Sequence, residues 1–282
     1  GTNTVTTANS NVSMSGINTI TTASGTVLVS GTRNTISNNA GNMWVSGKST
    51  IISQNFGDVR LTGATSTITN QDGGEVYITG TSSVITSNAG IVNVTGDTTT
   101  ITANSSVINV TGNRATVTTN EGTVNVTGHS VVVSLNSGTT NITGYTSTIA
   151  NTGVVYITGY TSTITNAGTT YVTGNIANIT NGTNYITGYR SAITNGTNYV
   201  TGYALDITNG TNTITVTGAS QQIRITGGTN TITAIGDIVA TGKLFNIYNP
   251  TTSFITGNVI WVTGGTNYLT GAQITISGSS DV

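Results

Sequence analysis

A tripeptide of an apolar residue, Ser or Thr, and Gly recurs along the chain at a nearly constant spacing of 14 to 17 residues. Its glycine, called here the repeat glycine, falls at positions 16, 31, 47, 63, 80, 96, 112, 128, 144, 159, 174, 188, 202 and 218. This period is shorter than the repeats that are built from helices. It therefore restricts the chain to small β units that repeat side by side.

Only one segment of each repeat changes length. The repeat glycine stands six positions after the preceding corner glycine, as Gly128 does after Gly122. An Ile or Val stands five positions after most repeat glycines. The variation follows this Ile or Val, in "ITSNAG" ending at Gly90, "ITNAG" ending at Gly168 and "ITNG" ending at Gly196. Asn and Gly tolerate the left-handed conformation of sharp turns. We therefore expect the shorter repeats to lose turn residues while their strands keep register.

The residues between the corners favour strands. Val, Ile and Thr dominate them, and β-branched side chains suit the pleated sheet. Apolar and polar residues alternate with period two, which places one set of side chains inward. The residues expected inward include Ile36, Ile68, Ile85, Ile101, Val126, Ile142, Ile164 and Ile193. The predicted fold class is all-β, a β-solenoid with two short strands in each coil of 14–17 residues.

A single coil of this kind cannot be stable alone. Burying each aliphatic side chain contributes roughly 1.5–3 kcal/mol, whereas ordering the backbone costs roughly 1–2 kcal/mol for every residue. Stacking offsets the difference, because every coil then bonds to the coils above and below it. We expect residues 1–218 to form the solenoid repeats.

The spacing of the glycines changes after Gly218. Spacings of 9, 15 and 15 residues lead to Gly257, and three steps of seven residues, about half a coil, lead to Gly278. Phe245, Pro250 and Trp261 lie in this part. Residues 219–282 are therefore predicted to be an irregular β region that acts as a cap or a docking element, or as an irregular end of the same solenoid.

The repeat resembles the plant-type ice-binding β-rolls, which repeat a short Thr-x-Val-x-Gly-like unit at similar spacing. It is more loosely similar to repeat-built subunits of extracellular fibres, sheaths and adhesins. The resemblance covers about three quarters of the chain. It implies a secreted, non-enzymatic protein that works through a flat repetitive face.

Paired threonines face outward on the strand after the repeat glycine. They are Thr67 and Thr69, Thr100 and Thr102, Thr116 and Thr118, and Thr163 and Thr165. The resemblance implies that such a lattice orders water at an ice surface. Other coils interrupt it, for example with Val132 and Ser134. The alternative is structural, because Thr is a common polar residue in strands.

A second outward row precedes the repeat glycine. It contains Tyr77, Asn93, Asn109, Asn125, Asn141, Tyr156, Tyr171, Tyr185 and Tyr199. Like residues follow like, so we expect amide hydrogen bonds between neighbouring asparagines and stacking between neighbouring tyrosines. Such rows suit protein–protein docking or carbohydrate binding. Stabilisation of the solenoid alone is the alternative.

Composition argues against several other functions. Only 15 of the 282 residues are charged, seven basic and eight acidic, so the sequence lacks the basic footprint of a nucleic-acid-binding protein. It has no cysteine and no apolar run long enough for a membrane span. His129 is the only histidine, and the acidic residues are scattered over different coils. We expect no enzyme activity, no metal site and no cofactor.

Two functions remain at this stage. The first is a structural subunit of an extracellular fibre, sheath or cell-surface layer that assembles with itself in an amyloid-like manner. The first charged residue is Arg33, so the first coils are uncharged, and an unprotected strand edge pairs readily with another chain. The alternative is an ice-binding or glycan-binding solenoid, including the adhesin and phage-fibre types, with surface glycans as partners.

Overall fold

The computed structural model describes residues 1–9, 11–216, 222–234, 237–248, 250 and 252–277. All regular elements within these ranges are β-strands. No described helix has the length and hydropathy needed to cross a bilayer. The chain divides into two compact units, Gly1–Tyr145 and Thr146–Val282. Gly218, Gly278 and the predicted boundary between residues 218 and 219 lie outside the described residues.

The first unit contains nine strands and the beginning of a tenth. They are β1 (Thr2–Ala8), β2 (Val12–Ala23), β3 (Val27–Asn39), β4 (Met43–Asn55), β5 (Val59–Gln71), β6 (Glu75–Asn88), β7 (Ile91–Asn104), β8 (Val107–Asn120), β9 (Thr123–Asn136) and β10 (Thr139–Asn151).

The second unit contains the end of β10 and ten further strands. They are β11 (Val154–Asn166), β12 (Thr169–Thr180), β13 (Thr183–Thr194), β14 (Thr197–Thr208), β15 (Thr211–Val216), β16 (Gln222–Thr226), β17 (Thr229–Thr233), β18 (Asp237–Tyr248), β19 (Thr252–Thr263) and β20 (Thr266–Ser277).

Successive coils pair in parallel, which confirms the predicted β-solenoid. Gly80 pairs with Gly96, and Ile85 with Ile101. The hydrogen-bonded run passes through the repeat glycine, so β2 to β14 each have 12–14 residues made of two short segments. We call the outer surface of the first segments the pre-glycine face and that of the second segments the post-glycine face.

The core is a column of aliphatic side chains inside the coils. All eight residues predicted to point inward are at most 2% exposed. Alternation brings the side chains on either side of them to the surface, as in β7, where Thr100 and Thr102 flank the buried Ile101. Period two therefore identified the inner faces correctly, because both segments of a coil are flat strands.

The repeat glycines are required by close approach of the coils. Gly112 lies over the carbonyl oxygen of Gly96, and a methyl group added to Gly112 would overlap that oxygen. Among the repeat glycines that the structure describes, only Gly16 has a positive φ. Glycine is therefore required at this corner because a side chain would overlap the neighbouring coil, and not because the backbone has a positive φ.

The other corner behaves as predicted in the shortest coils. Asn181, Asn195 and Asn209 have φ of 62°, 61° and 58°, the left-handed conformation that a tight turn requires. Register is kept when the coil shortens, since Gly174 pairs with Gly188 fourteen residues later. In these coils turn residues absorb the change of length, whereas between β2 and β3 the register shifts between Gly16 and Ile17, so one residue is added after the repeat glycine.

The two faces exchange their sequence motifs near the C-terminal end. The first segment of β14 pairs with β15, and its second segment pairs with β16. β15 then pairs with β17. Finally, β16 pairs with the first segment of β18, and β17 pairs with its second segment. The segment of β18 before Gly242 therefore continues the post-glycine face of the earlier coils, although it precedes a glycine in the sequence. This half-coil offset explains the irregular spacing of the sequence.

Candidate assembly and binding faces

The exterior asparagine row comprises Asn93, Asn109, Asn125 and Asn141 on the pre-glycine face. Each of the last three donates an Nδ2–H bond to the Oδ1 of the preceding asparagine, at 2.8, 2.8 and 2.7 Å. Parallel register sets this geometry, because Asn93 pairs with Asn109 and Asn109 with Asn125. The predicted amide ladder is present.

The tyrosine row comprises Tyr156, Tyr171, Tyr185 and Tyr199. Successive ring centroids lie 4.8, 4.9 and 4.9 Å apart, and the ring planes differ by 6–8°. Every side chain in the row is 38–46% exposed. Because the ring faces cover one another, the row presents ring edges and hydroxyl groups to solvent. A sugar therefore cannot stack on the faces between neighbouring rings, whereas a protein surface can lie along the edges.

Tyr77 belongs to the same face but makes different contacts. Its hydroxyl donates to Glu75 at 2.6 Å, and the Arg60 guanidinium lies 5.6 Å from its ring centroid. The hydrogen bond to Glu75 is the main cause that raises the pKa of the Tyr77 phenol above its ordinary value. Tyr77 is thus separated chemically from the tyrosine row.

The threonine pairs are brought together only in part. Thr100 pairs with Thr116, and both face outward with Thr102 and Thr118. Thr67 pairs with Val84, which in turn pairs with Thr100. The resulting threonine lattice spans four coils of the first unit, from Thr67 and Thr69 to Thr116 and Thr118, with Val84 and Thr86 between them.

The remaining predicted pair, Thr163 and Thr165, lies in the second unit. Its neighbours in the next coil are Asn178 and Thr180. The threonine lattice ends after Thr116, because that residue pairs with Val132.

Sequence reasoning missed a buried asparagine ladder inside the first unit. Asn88 donates to Asn104, Asn104 to Asn120, and Asn120 to Asn136, at 2.8, 2.7 and 2.7 Å. All four side chains are at most 2% exposed. Asn104 and Asn120 also donate to the Ser106 and Gly122 carbonyls, which fixes the orientation of each amide.

The second unit contains an equivalent ladder on the other side of the corner. Asn184 donates to Asn198, Asn198 to Asn212, and Asn212 to Asn230, at 2.8, 2.7 and 2.7 Å. Asn198 also donates to the carbonyl of Asn195, the left-handed turn residue. As the coil shortens, the buried amide moves from before the corner to after it. The recurrence of Asn at a fixed offset from the buried Ile or Val was the available signal.

His129, the single histidine of the sequence, is exposed. The His129 ring lies 6.1 Å from the Tyr145 ring, in a tilted arrangement on the surface. Over the described ranges, no three His, Cys, Asp or Glu side chains are grouped so that they could hold a metal ion.

These features define the chain as a β-solenoid repeat protein with side-chain ladders both inside and outside its coils. Comparison of the chain with protein-family models, curated proteins and solved structures finds no match in any of the three.

Proposed function

We propose that this protein is a structural, self-assembling subunit of an extracellular fibre, sheath or cell-surface layer. The observation that carries the proposal is the tyrosine row, a stacked and exposed aromatic stripe on a chain with 15 charged residues in 282. Aromatic residues are enriched at protein interfaces. The chain also carries few charges that would repel another copy of itself. The extracellular location comes from the resemblance to ice-binding β-rolls and fibre subunits.

Negative-stain microscopy of the purified chain at increasing concentration tests the proposal. We expect filaments or sheets, and we expect Tyr171→Lys with Tyr185→Lys to abolish lateral association, because charges would replace the stacked rings. The matched control, Thr163→Lys with Thr165→Lys, adds the same charge on the post-glycine face of the same unit and should still assemble. A chain that stays monomeric at every concentration would overturn the proposal.

The threonine lattice supports a second candidate, ice binding. Thr69, Thr86, Thr102 and Thr118 occupy one position in four successive coils, so methyl and hydroxyl groups repeat at about 4.8 Å between coils. Thermal hysteresis measured on the monomer tests it. Thr116→Tyr should remove the activity, and Thr111→Tyr on the pre-glycine face should not. Filament formation without thermal hysteresis would favour the structural role.

A further inference from the structure

A groove of about 630 Å³ lies on the post-glycine face of the second unit. It follows one outward row of side chains, in which Ala192, Asp206, Arg224, Val239 and Phe254 are register neighbours on successive levels. Arg190 in the adjacent row also lines it. The groove is therefore parallel to the stacking direction of the coils.

Side-chain size shapes this groove. Ala192 and Ala204 are the smallest lining side chains, and they leave a depression between Asn178 and the charged residues. Phe254 stands at the other end, 50% exposed, with one ring face stacked on Tyr268 at 4.7 Å. Its second face points along the row toward the smaller Val239. The groove thus has a low floor and an aromatic end wall.

Three of the chain's 15 charged residues line this one groove. Arg190, Asp206 and Arg224 belong to three successive levels, since β13 pairs with β14 and β14 with β16. All three side chains are exposed, and none makes an ion pair or a side-chain hydrogen bond with the residues that the structure describes. Their order is positive, negative, positive, at steps of about 4.8 Å.

We propose that this groove binds a carboxylate-bearing oligosaccharide. A guanidinium group binds a carboxylate through two parallel hydrogen bonds, which suits Arg190 and Arg224. Asp206 between them accepts hydrogen bonds, and sugar hydroxyl groups can donate them. The apolar face of a sugar ring would pack against the part of the Phe254 ring that the shorter Val239 side chain leaves exposed.

An acidic peptide fits the same groove less well. Its side chains would bring carboxylates toward Asp206 as well as toward the two arginines, and like charges repel. An acidic sugar also carries a carboxylate on each unit, but the hydroxyl groups beside it can donate hydrogen bonds to Asp206, which a glutamate side chain cannot do. This ligand site is independent of the proposed structural role, which depends on the tyrosine row.

Calorimetric titration with a trimer of galacturonic acid tests the proposal. We expect binding, and we expect the methyl-esterified trimer to bind at least about tenfold more weakly, because a neutral ester cannot form the bidentate ion pair that a carboxylate forms with a guanidinium group. Arg190→Gln and Arg224→Gln should each weaken binding by about tenfold. Arg114→Gln, an exposed arginine of the first unit, should leave the affinity unchanged.

Ala192→Trp provides a test that leaves the charges untouched. The indole would fill the floor of the groove and abolish binding, and a circular dichroism spectrum identical to wild type would show that the fold persists. Failure of the acidic trimer to bind, equal affinity for its ester, or tighter binding of a triglutamate peptide would each overturn the proposal. Filament formation is observed separately by microscopy, so neither result decides the other.

Discussion

Asn104 accepts a hydrogen bond from Asn88 and donates one to Asn120, in a position with 2% exposure. Asn125 makes the corresponding bonds to Asn141 and Asn109 on the surface. Asn195 instead supplies a left-handed turn. The environment of each asparagine therefore decides what its amide contributes to stability.

Removing a buried amide should cost much more than removing an exposed one. Asn104→Ala leaves the Asn88 donor and the Asn120 acceptor unpaired inside the core, at a cost of about 1–3 kcal/mol for each group. Asn125→Ala leaves the same two groups where water can reach them, and we expect a loss below about 1 kcal/mol. Denaturant unfolding of both variants measures the difference. Equal losses would show that the buried ladder is not a special source of stability.

Tyr77 should ionise later than an ordinary tyrosine. Its hydroxyl donates to Glu75, and a phenolate could not donate, so the hydrogen bond raises the pKa of Tyr77 above 10.0. The stability that this bond contributes is present below pH 10 and is lost as the pH rises through the raised pKa. The difference between the ultraviolet titrations of wild type and Tyr77→Phe isolates this residue among the 11 tyrosines. Glu75→Gln should return the midpoint toward the ordinary value.

The sequence could predict which aliphatic residues are inward, because Ile101 and Val126 obey period two within their own strands. It could not reveal the partners of Asn104. From sequence alone, an asparagine near a corner is predicted to be a turn residue. The same prediction results whether it adopts a left-handed φ, as Asn195 does, or donates a side-chain hydrogen bond to the next coil, as Asn104 does. Only the stacking of neighbouring coils separates these cases.

At the scale of the element, the coil is limited by its repeat glycine. Gly112→Ala should destabilise the first unit by about 1–3 kcal/mol, because its methyl group would overlap the Gly96 carbonyl. Gly73→Ala is the matched control. The nearest atom to the added methyl there is the Phe56 oxygen at 3.5 Å, so we expect a change within about 0.5 kcal/mol. Thermal melts that rank the two variants in the opposite order would refute this role of Gly112.

The exterior asparagine row also contains four glycosylation sequons, each Asn-x-Thr. We expect them not to be fully occupied. Glycans on neighbouring coils would lie about 5 Å apart and collide, and the Nδ2 atoms of Asn109, Asn125 and Asn141 already donate to the row. Intact-mass measurement on protein from a secretory host decides the matter. Four glycans on this row would contradict the observed register.

The repeat spacing predicted where corners fall but not how motifs map onto faces. Nothing in the sequence around Gly242 shows that the segment before it pairs with β16, and so continues the column of the post-glycine segment of β14. That assignment depends on β15, β16 and β17, which split one coil into separately paired segments. Long-range pairing, which a local pattern does not contain, determines the groove between Arg190 and Phe254.

At the scale of the whole molecule, stability is approximately a sum over neighbouring coils. We expect Ile101→Asp to unfold β6 to β8 locally, because an unpaired charge in the dry core is costly. Hydrogen exchange should show lost protection in these strands and retained protection in the second unit. Thr102→Asp, on the exposed side of the same strand, should leave exchange unchanged. Loss of protection throughout the chain would instead indicate a single cooperative unit.

On strands β7 to β9 the buried and the exterior amide ladders point in opposite directions. Buried amides donate toward the next coil, from Asn88 to Asn136, whereas exterior amides donate toward the preceding coil, from Asn141 to Asn93. A single column of aligned amides would accumulate partial charge at its ends, as a helix does. Two opposed columns on the same coils largely cancel each other's dipoles. Over these coils the stack therefore lengthens without accumulating partial charge at its ends.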